Sequence, residues 1–202
     1  MNAIVEASVA QSPVKLDLGS GKNKKPGFLG VDAIAFDGVD VVCDLAGNAR
    51  WPWEDASVDE VNCSHFLEHL TNLDGRFERV HFFNELYRIL KPGKREAGLI
   101  VGGFATIVIP HWASQRYYGD PTHKEPFSEF GWYYLDREWR AVNAPHADEK
   151  FNPKGYSCSF DCAWHYNIHA AFVSRATEFQ QHALQWYRDA LNDMVCTAVP
   201  KK

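Results

Sequence analysis

Two glycines one residue apart, Gly19 and Gly21, stand between a short apolar run and a second run that ends in an acid, Asp32. From Val14 the stretch reads Val-Lys-Leu-Asp-Leu-Gly-Ser-Gly, then Lys-Asn-Lys-Lys-Pro-Gly, then Phe-Leu-Gly-Val-Asp. Glycine has no Cβ, so backbone N–H groups in such a turn can come close to a ligand. A carboxylate at the end of the following strand offers two acceptor oxygens to the neighbouring hydroxyls of a ribose. This is chemistry for a nucleoside-bearing cofactor. A nicotinamide dinucleotide fits poorly, because its fingerprint needs a third glycine where this chain has Lys24. Residues 22–27 are also too few for the crossover helix that faces a pyrophosphate.

A second set of reactive side chains lies further on. His65 and Glu68 follow the apolar run 58–65, and His111 follows the run 104–110. Tyr117, Tyr118, Asp120, His123 and Lys124 come next, around Gly-Asp-Pro-Thr-His-Lys. Open α/β sheets bind ligands beyond the carboxyl ends of their strands. His65 or His111 is therefore expected nearest the reacting centre, as catalytic groups, with Glu68 and the later residues shaping a substrate pocket. His69 reads as a helix-face residue. The spacing of His111, Asp120 and His123 matches no helical or zinc template, so no metal is expected. The aromatic cluster of Trp112, Tyr117, Tyr118, Trp132, Tyr133, Tyr134 and Trp139 is expected to pack over the sheet, with stacking on a flat acceptor as the alternative.

Elements that could position these groups follow from periodicity. Runs 14–18, 28–32, 39–45, 58–65, 104–110, 160–168 and 195–199 read as strands. Residues 73–90 carry apolar residues at spacings of three and four, stopped by Lys91-Pro92-Gly93. Residues 128–140 are expected to be partly helical, and 143–156, with its prolines and glycine, a mobile loop. Residues 177–192 read as a helix opened by a Thr177/Gln180 capping box. Residues 1–12 read as a frayed tail. Strands alternating with helices imply one α/β domain with a largely parallel sheet. The short segments after Gly21 and Asp32 leave no room for full helices. One face near the second and third strands should then be thinly covered, for a partner, a second copy or the aromatic cluster to fill.

With these residues in place, the chain resembles the class I S-adenosylmethionine-dependent methyltransferases. Leu16-Asp17-Leu18-Gly19-Ser20-Gly21 with Asp32 is similar to the family's first two motifs. Asp44-Leu45 with the stretch from Trp51 to Val61 resembles the adenine segment and the approach to the fourth strand. Ser64-His65-Phe66-Leu67-Glu68-His69-Leu70 resembles the motif after that strand, and Glu85-Leu86-Tyr87-Arg88-Ile89-Leu90-Lys91-Pro92-Gly93 the helix and turn before the fifth. The resemblance covers residues 14–110. It implies S-adenosylmethionine as cofactor, with Gly19, Ser20 and Gly21 at its methionine and ribose, Asp17 toward the ammonium, and Asp32 on the ribose diol. Asp44 would accept from the adenine amino group, Leu45 pack on the ring, and Ser64 and His65 complete the cofactor edge. It implies a seven-stranded sheet ordered 3-2-1-4-5-7-6 with its last strand antiparallel and shortened early helices. Residues 13–110 would form the cofactor-binding half and 111–202 the substrate-side half of one domain, 1–202. The implied activity is methyl transfer to a small-molecule, sugar, nucleotide or nucleic-acid acceptor. A cofactor-binding partner subunit without catalysis is the alternative, and a nicotinamide oxidoreductase a further one.

Composition bounds the rest. The chain has 202 residues, 46% hydrophobic and 23% charged, with net charge −5. An acidic balance argues against a broad grip on nucleic acid, although Lys22, Lys24 and Lys25 crowd one turn. Five cysteines without a framework spacing read as reduced thiols. Neither a secretory leader nor a membrane-spanning run is visible, so a cytoplasmic protein is expected, with a homodimer as one way to cover the thin face.

Overall fold

A computed structural model describes residues 12–202. The expected tail at 1–12 lies almost wholly outside them. Four short strands come first: β1 (Lys15–Leu18), β2 (Leu29–Asp32), β3 (Val41–Val42) and β4 (Glu60–Ser64). Helix α1 (Glu78–Ile89) leads to a hairpin, β5 (Gly93–Glu96) and β6 (Leu99–Gly102), and then to β7 (Phe104–Pro110). Three short helices follow, α2 (Gln115–Tyr118), α3 (Glu129–Tyr133) and α4 (Arg137–Asn143). The chain ends with β8 (Phe160–Ile168), α5 (Ala170–Val173), α6 (Thr177–Trp186) and β9 (Leu191–Pro200).

Seven strands form one sheet in the order β3-β2-β1-β4-β7-β9-β8. Pairs β1–β2, β2–β3, β1–β4 and β4–β7 are parallel, and β9 runs antiparallel to both β7 and β8. Numbered within the main sheet this is 3-2-1-4-5-7-6 with the last strand reversed, as the resemblance implies. Buried Leu16 and Leu18 face one side of β1 while Asp17, also buried, faces the other. Central parallel strands are covered on both faces in this way. Parallel pairing brings Gly19, Asp32, His65 and His111 to the same edge, each at or just past the carboxyl end of its strand.

No helix forms between β1 and β2 or between β2 and β3; both connections are turns. Their side of the sheet is open: Leu29, Ile34 and Val42 are 45%, 59% and 61% exposed. The aromatic cluster does not cover it. Phe127 and Trp132 instead pack on each other and on Phe83 of α1, and Tyr133 packs edge-on against Trp164 of β8. The reason is connectivity, because these residues follow β7 and land beside the far half of the sheet.

Other expectations need correction. Helix α1 starts at Glu78 instead of 73, after Phe77 takes a left-handed φ of 56°. Its core face centres on Phe82, Phe83, Leu86 and Ile89. The hairpin β5–β6 lies where only a helix stop and a connection were expected. Ala97 and Gly98 at its tip both have positive φ, as a two-residue primed turn requires. The Thr177/Gln180 capping box does not form, since Ala176 occupies the cap position and Gln180 donates to the carbonyls of Val173 and Arg175. Helix α6 ends at Trp186, and the residues after it extend β9 from Leu191. Residues 143–156 are pinned. Buried Arg140 forms an ion pair with Asp148 at 3.0 Å and donates to the carbonyls of Tyr156 and Cys158. Among the described residues the five cysteines are free thiols, and no helix is long and apolar enough to cross a membrane.

Candidate cofactor and acceptor site

The glycine turn is shaped from within. Gly19 has φ +70°, and a Cβ there would lie 2.5 Å from the Phe66 ring. The N–H groups of Gly19 and Ser20 both donate to the carbonyl of Val31, which ties the turn to β2. Gly21 has φ +52° with open space where a side chain would stand. Its N–H donates to Asp32 Oδ2 at 2.9 Å, and Asp32 Oδ1 accepts from Ile34 N–H at 3.0 Å. Each carboxylate oxygen keeps a second lone pair for a diol. The Ser20 hydroxyl oxygen is buried with no hydrogen-bond partner among the described residues. An open approach at Gly21, a half-buried acid at the edge and an orphaned hydroxyl beside them suit a polar cofactor.

Asp17 is differently employed. Its Oδ2 accepts from Lys25 N–H at 2.7 Å and its Oδ1 from Asn62 Nδ2 at 2.6 Å. The acid clamps the short turn that replaces the crossover helix, so the expected contact with an ammonium falls to its remaining lone pairs. Asp44 is exposed and folds its own loop, accepting from Ala46 and Gly47 N–H. Leu45 points inward. It is 2% exposed within the core cluster and anchors the loop instead of offering a face to an adenine ring.

The acceptor side is built from β4, β7, β9 and the loops after them. Ser64 ends β4 in register with Val108, and His65 follows with φ +55°. A positive φ on a histidine is uncommon and marks a place where the surroundings dictate the backbone. Here His65 N–H donates to the Val108 carbonyl while the ring turns outward, 43% exposed. Its Nδ1 lies 3.3 Å from Glu68 Oε1 and its Nε2 3.8 Å from Asp193 Oδ1. The Glu68 carboxylate holds the His65 pKa above its usual value, against the effect of burial. Asp193, absent from the expected site, comes from β9 opposite Pro110 and is held by Arg116 Nη1 at 2.9 Å. No local signal marks it, since Asn192-Asp193 reads as an ordinary polar pair ahead of the apolar run 194–196.

His111, by contrast, is enclosed. Its ring is 7% exposed, Nδ1 accepts from Ala113 N–H at 3.2 Å, and Nε2 lies 3.3 Å from Glu129 Oε1. The accepting Nδ1 requires the proton on Nε2, so neither nitrogen is free to act as a base. Glu129 also accepts from the Tyr166 hydroxyl at 3.0 Å and from Trp112 Nε1. These donors, His111 foremost, hold its carboxyl at about 2. The group ties the end of β7 to α3 and β8.

The later residues divide in two. Tyr117 is buried, its carbonyl accepting from His123 Nδ1 at 2.7 Å, while Tyr118 is exposed at the rim. Asp120 caps its own turn through Thr122. Lys124 Nζ pairs with Glu78 at 3.1 Å, and its N–H donates to the Glu68 carbonyl. A ligand atom each from Glu68, His69 and His123 lies within 4.8 Å of the others, a grouping that spacing along the chain did not disclose. A cleft of about 390 Å³ opens beside His111, lined also by Trp112, Tyr118, Trp186 and Arg188. A second cleft, about 420 Å³, is lined by Gly93, Asp136 and Phe160, at the opposite edge of the sheet from the glycine turn.

Residues 9–95 match the family described as "Methyltransferase domain". Among curated proteins none matches the sequence. Among solved structures, the fold is similar to a SAM-dependent methyltransferase from Archaeoglobus fulgidus, with TM-score 0.57 and 18% identity over 94% of this chain and 86% of that one. It is also similar to a chain in the complex between the Haloferax volcanii Trm112 methyltransferase activator and a protein assigned as a methyltransferase, with TM-score 0.50 and 17% identity over 96% and 85%. The match is confined to residues 9–95, and the strand order and the likeness to these structures show the class I methyltransferase fold.

Proposed function

We propose that the protein binds S-adenosylmethionine at the ends of β1 and β2 and transfers its methyl group to an acceptor held beyond β4 and β7. The observation that carries this is the convergence of the Gly19–Gly21 turn, the Asp32 carboxylate and the outward-turned His65 on one edge of the sheet. When bound, the cofactor supplies an already activated methyl on sulfur, so the protein's task is alignment and exclusion of water. Gly21 leaves room for the approach, Asp32 takes the ribose diol through its free lone pairs, and Asp44 reaches the adenine from its exposed loop. His65, fixed by its strained backbone and steadied by Glu68 and Asp193, is the polar group that orients the acceptor. In this reading residues 13–110 form the cofactor half and 111–202 the acceptor half of a single cytoplasmic domain.

The acceptor class is a small molecule or nucleotide, for which the aromatic cleft beside His111 has a suitable size. The open strip at Leu29, Ile34 and Val42 is consistent with a homodimer, which light scattering tests. Isothermal titration with S-adenosylmethionine and S-adenosylhomocysteine tests the main reading. Saturable one-to-one binding is expected, and no heat at millimolar ligand would sink it.

A further inference from the structure

Glu68 is a buried acid on the acceptor side. Its carboxylate is 3% exposed, and neither oxygen accepts a hydrogen bond from any described residue. Buried Arg79 spends its guanidinium elsewhere, donating to the carbonyls of Leu67, Pro126 and Glu125. The imidazole facing it across an exposed side is His65, Nδ1 3.3 Å from Glu68 Oε1, and a buried carboxylate is disfavoured unless cations and hydrogen bonds compensate it fully.

Two imidazoles face that carboxylate in a defined state. His123 Nδ1 is 2.7 Å from the Tyr117 carbonyl, which can only accept, so the proton sits on Nδ1. Its Nε2 then presents a lone pair 3.9 Å from Glu68 Oε1. For His69, Nδ1 lies 3.2 Å from Thr122 Oγ1, whose own proton goes to Asp120 Oδ1 at 2.6 Å. The hydroxyl therefore accepts from His69 Nδ1–H and leaves the other ring nitrogen free. Outer hydrogen bonds of this kind set the tautomer of metal-bound histidines. The two rings meet edge to face at 4.8 Å between centroids. With both rings neutral, lone pairs from three ligands converge within 4.8 Å, an arrangement that a cation among them would satisfy.

We propose that Glu68, His69 and His123 form a site for a divalent transition-metal ion. Two imidazole nitrogens and one carboxylate oxygen suit zinc, manganese, iron(II) or cobalt, and not an all-oxygen ion such as calcium. Asp120 Oδ2, 3.8 Å from His123 Nε2, is within reach as a fourth ligand. The Glu68 carboxylate has lone pairs enough to serve both the ion and His65. The site lies beside His65 on the acceptor side, so the ion would grip an oxygen of the acceptor, a hydroxyl, carboxylate or phosphate. That last step rests on the methyl-transfer reading; the metal site itself does not.

The test uses chelator-treated full-length protein without S-adenosylmethionine. Titration with cobalt(II) should show one equivalent bound, read by calorimetry and by a visible absorption band of nitrogen and oxygen ligation. Glu68→Gln and His123→Asn should each weaken binding at least about tenfold, while His182→Ala, on α6, should leave it unchanged. Melting curves identify any variant that has lost its fold, and Asp120→Asn supplies a milder change at the rim. The proposal is overturned if the wild type binds no stoichiometric cobalt, or if the folded Glu68→Gln and His123→Asn variants bind as the wild type does. Cofactor titrations on the same chelated protein separate that failure from failure of the methyltransferase reading.

Discussion

Asp32 and Gly19 carry the cofactor edge at the scale of single residues, in different ways. Asp32 already organises the turn through Gly21 N–H and Ile34 N–H, and its remaining lone pairs are what a diol would take. Asp32→Ala should weaken S-adenosylmethionine binding by roughly 1.5–3 kcal/mol, the range for hydrogen bonds to a charged group, measured by calorimetry. An affinity within twofold of wild type would remove Asp32 from the site. Gly19 is needed for its emptiness. Gly19→Ala puts a methyl 2.5 Å from the Phe66 ring at φ +70°, so Phe66 or the turn must move. A loss of about 1–3 kcal/mol in a denaturant melt is expected, with weakened cofactor binding. Among the histidines, burial separates His111 from His65. The sequence shows both as a histidine after a strand, and the difference lies in Glu129 and Ala113, which only the folded chain brings near.

The elements that position the site depend on two joints. At the first, α1 buries Phe82, Phe83, Leu86 and Ile89 against the sheet. Leu86→Ala should cost about 2–5 kcal/mol of stability, as large-to-small changes in a core do, read from urea midpoints. At the second, Glu129 joins the end of β7 to α3 and β8 through His111, Trp112 and Tyr166. Its folded pKa of about 2 lies below the ordinary value of 4.5. A depressed carboxylate pKa stabilises the fold fully above the ordinary value, and this stability is lost as pH falls from about 4.5 toward 2. Wild type should therefore lose stability over that window more steeply than Glu129→Gln. Parallel acid-denaturation curves for the two proteins would contradict the assignment. The same elements show what periodicity can read. The α1 stripe and the β7 run were legible because each buries a regular face. The β5–β6 hairpin was not, since it buries no regular face: Lys94 and Glu96 of β5 face solvent, and so do Leu99 and Val101 of β6.

For the whole molecule, a ligand that binds only the folded chain should raise its stability by RT ln(1 + [L]/Kd), about 2.7 kcal/mol at a hundredfold excess over Kd. Thermal melts with S-adenosylmethionine should show that rise, and melts with a nicotinamide dinucleotide should not. The converse pattern would favour the oxidoreductase alternative. By itself the sequence determined the seven strands of the main sheet, their order in the chain, the glycine turn with its acid, and the absence of early crossover helices. Those are local properties, written in periodicity, glycine placement and segment length. Only the tertiary structure decided which polar groups meet. Asp193 reaches His65 across the reversed strand β9. His123 reaches Glu68 and His69 through a loop more than fifty residues away along the chain. Leu45 turns inward, and the aromatic cluster settles beside α1 and β8. Such contacts depend on loop paths and on which neighbour compensates a buried charge, and neither leaves a periodic trace in the chain.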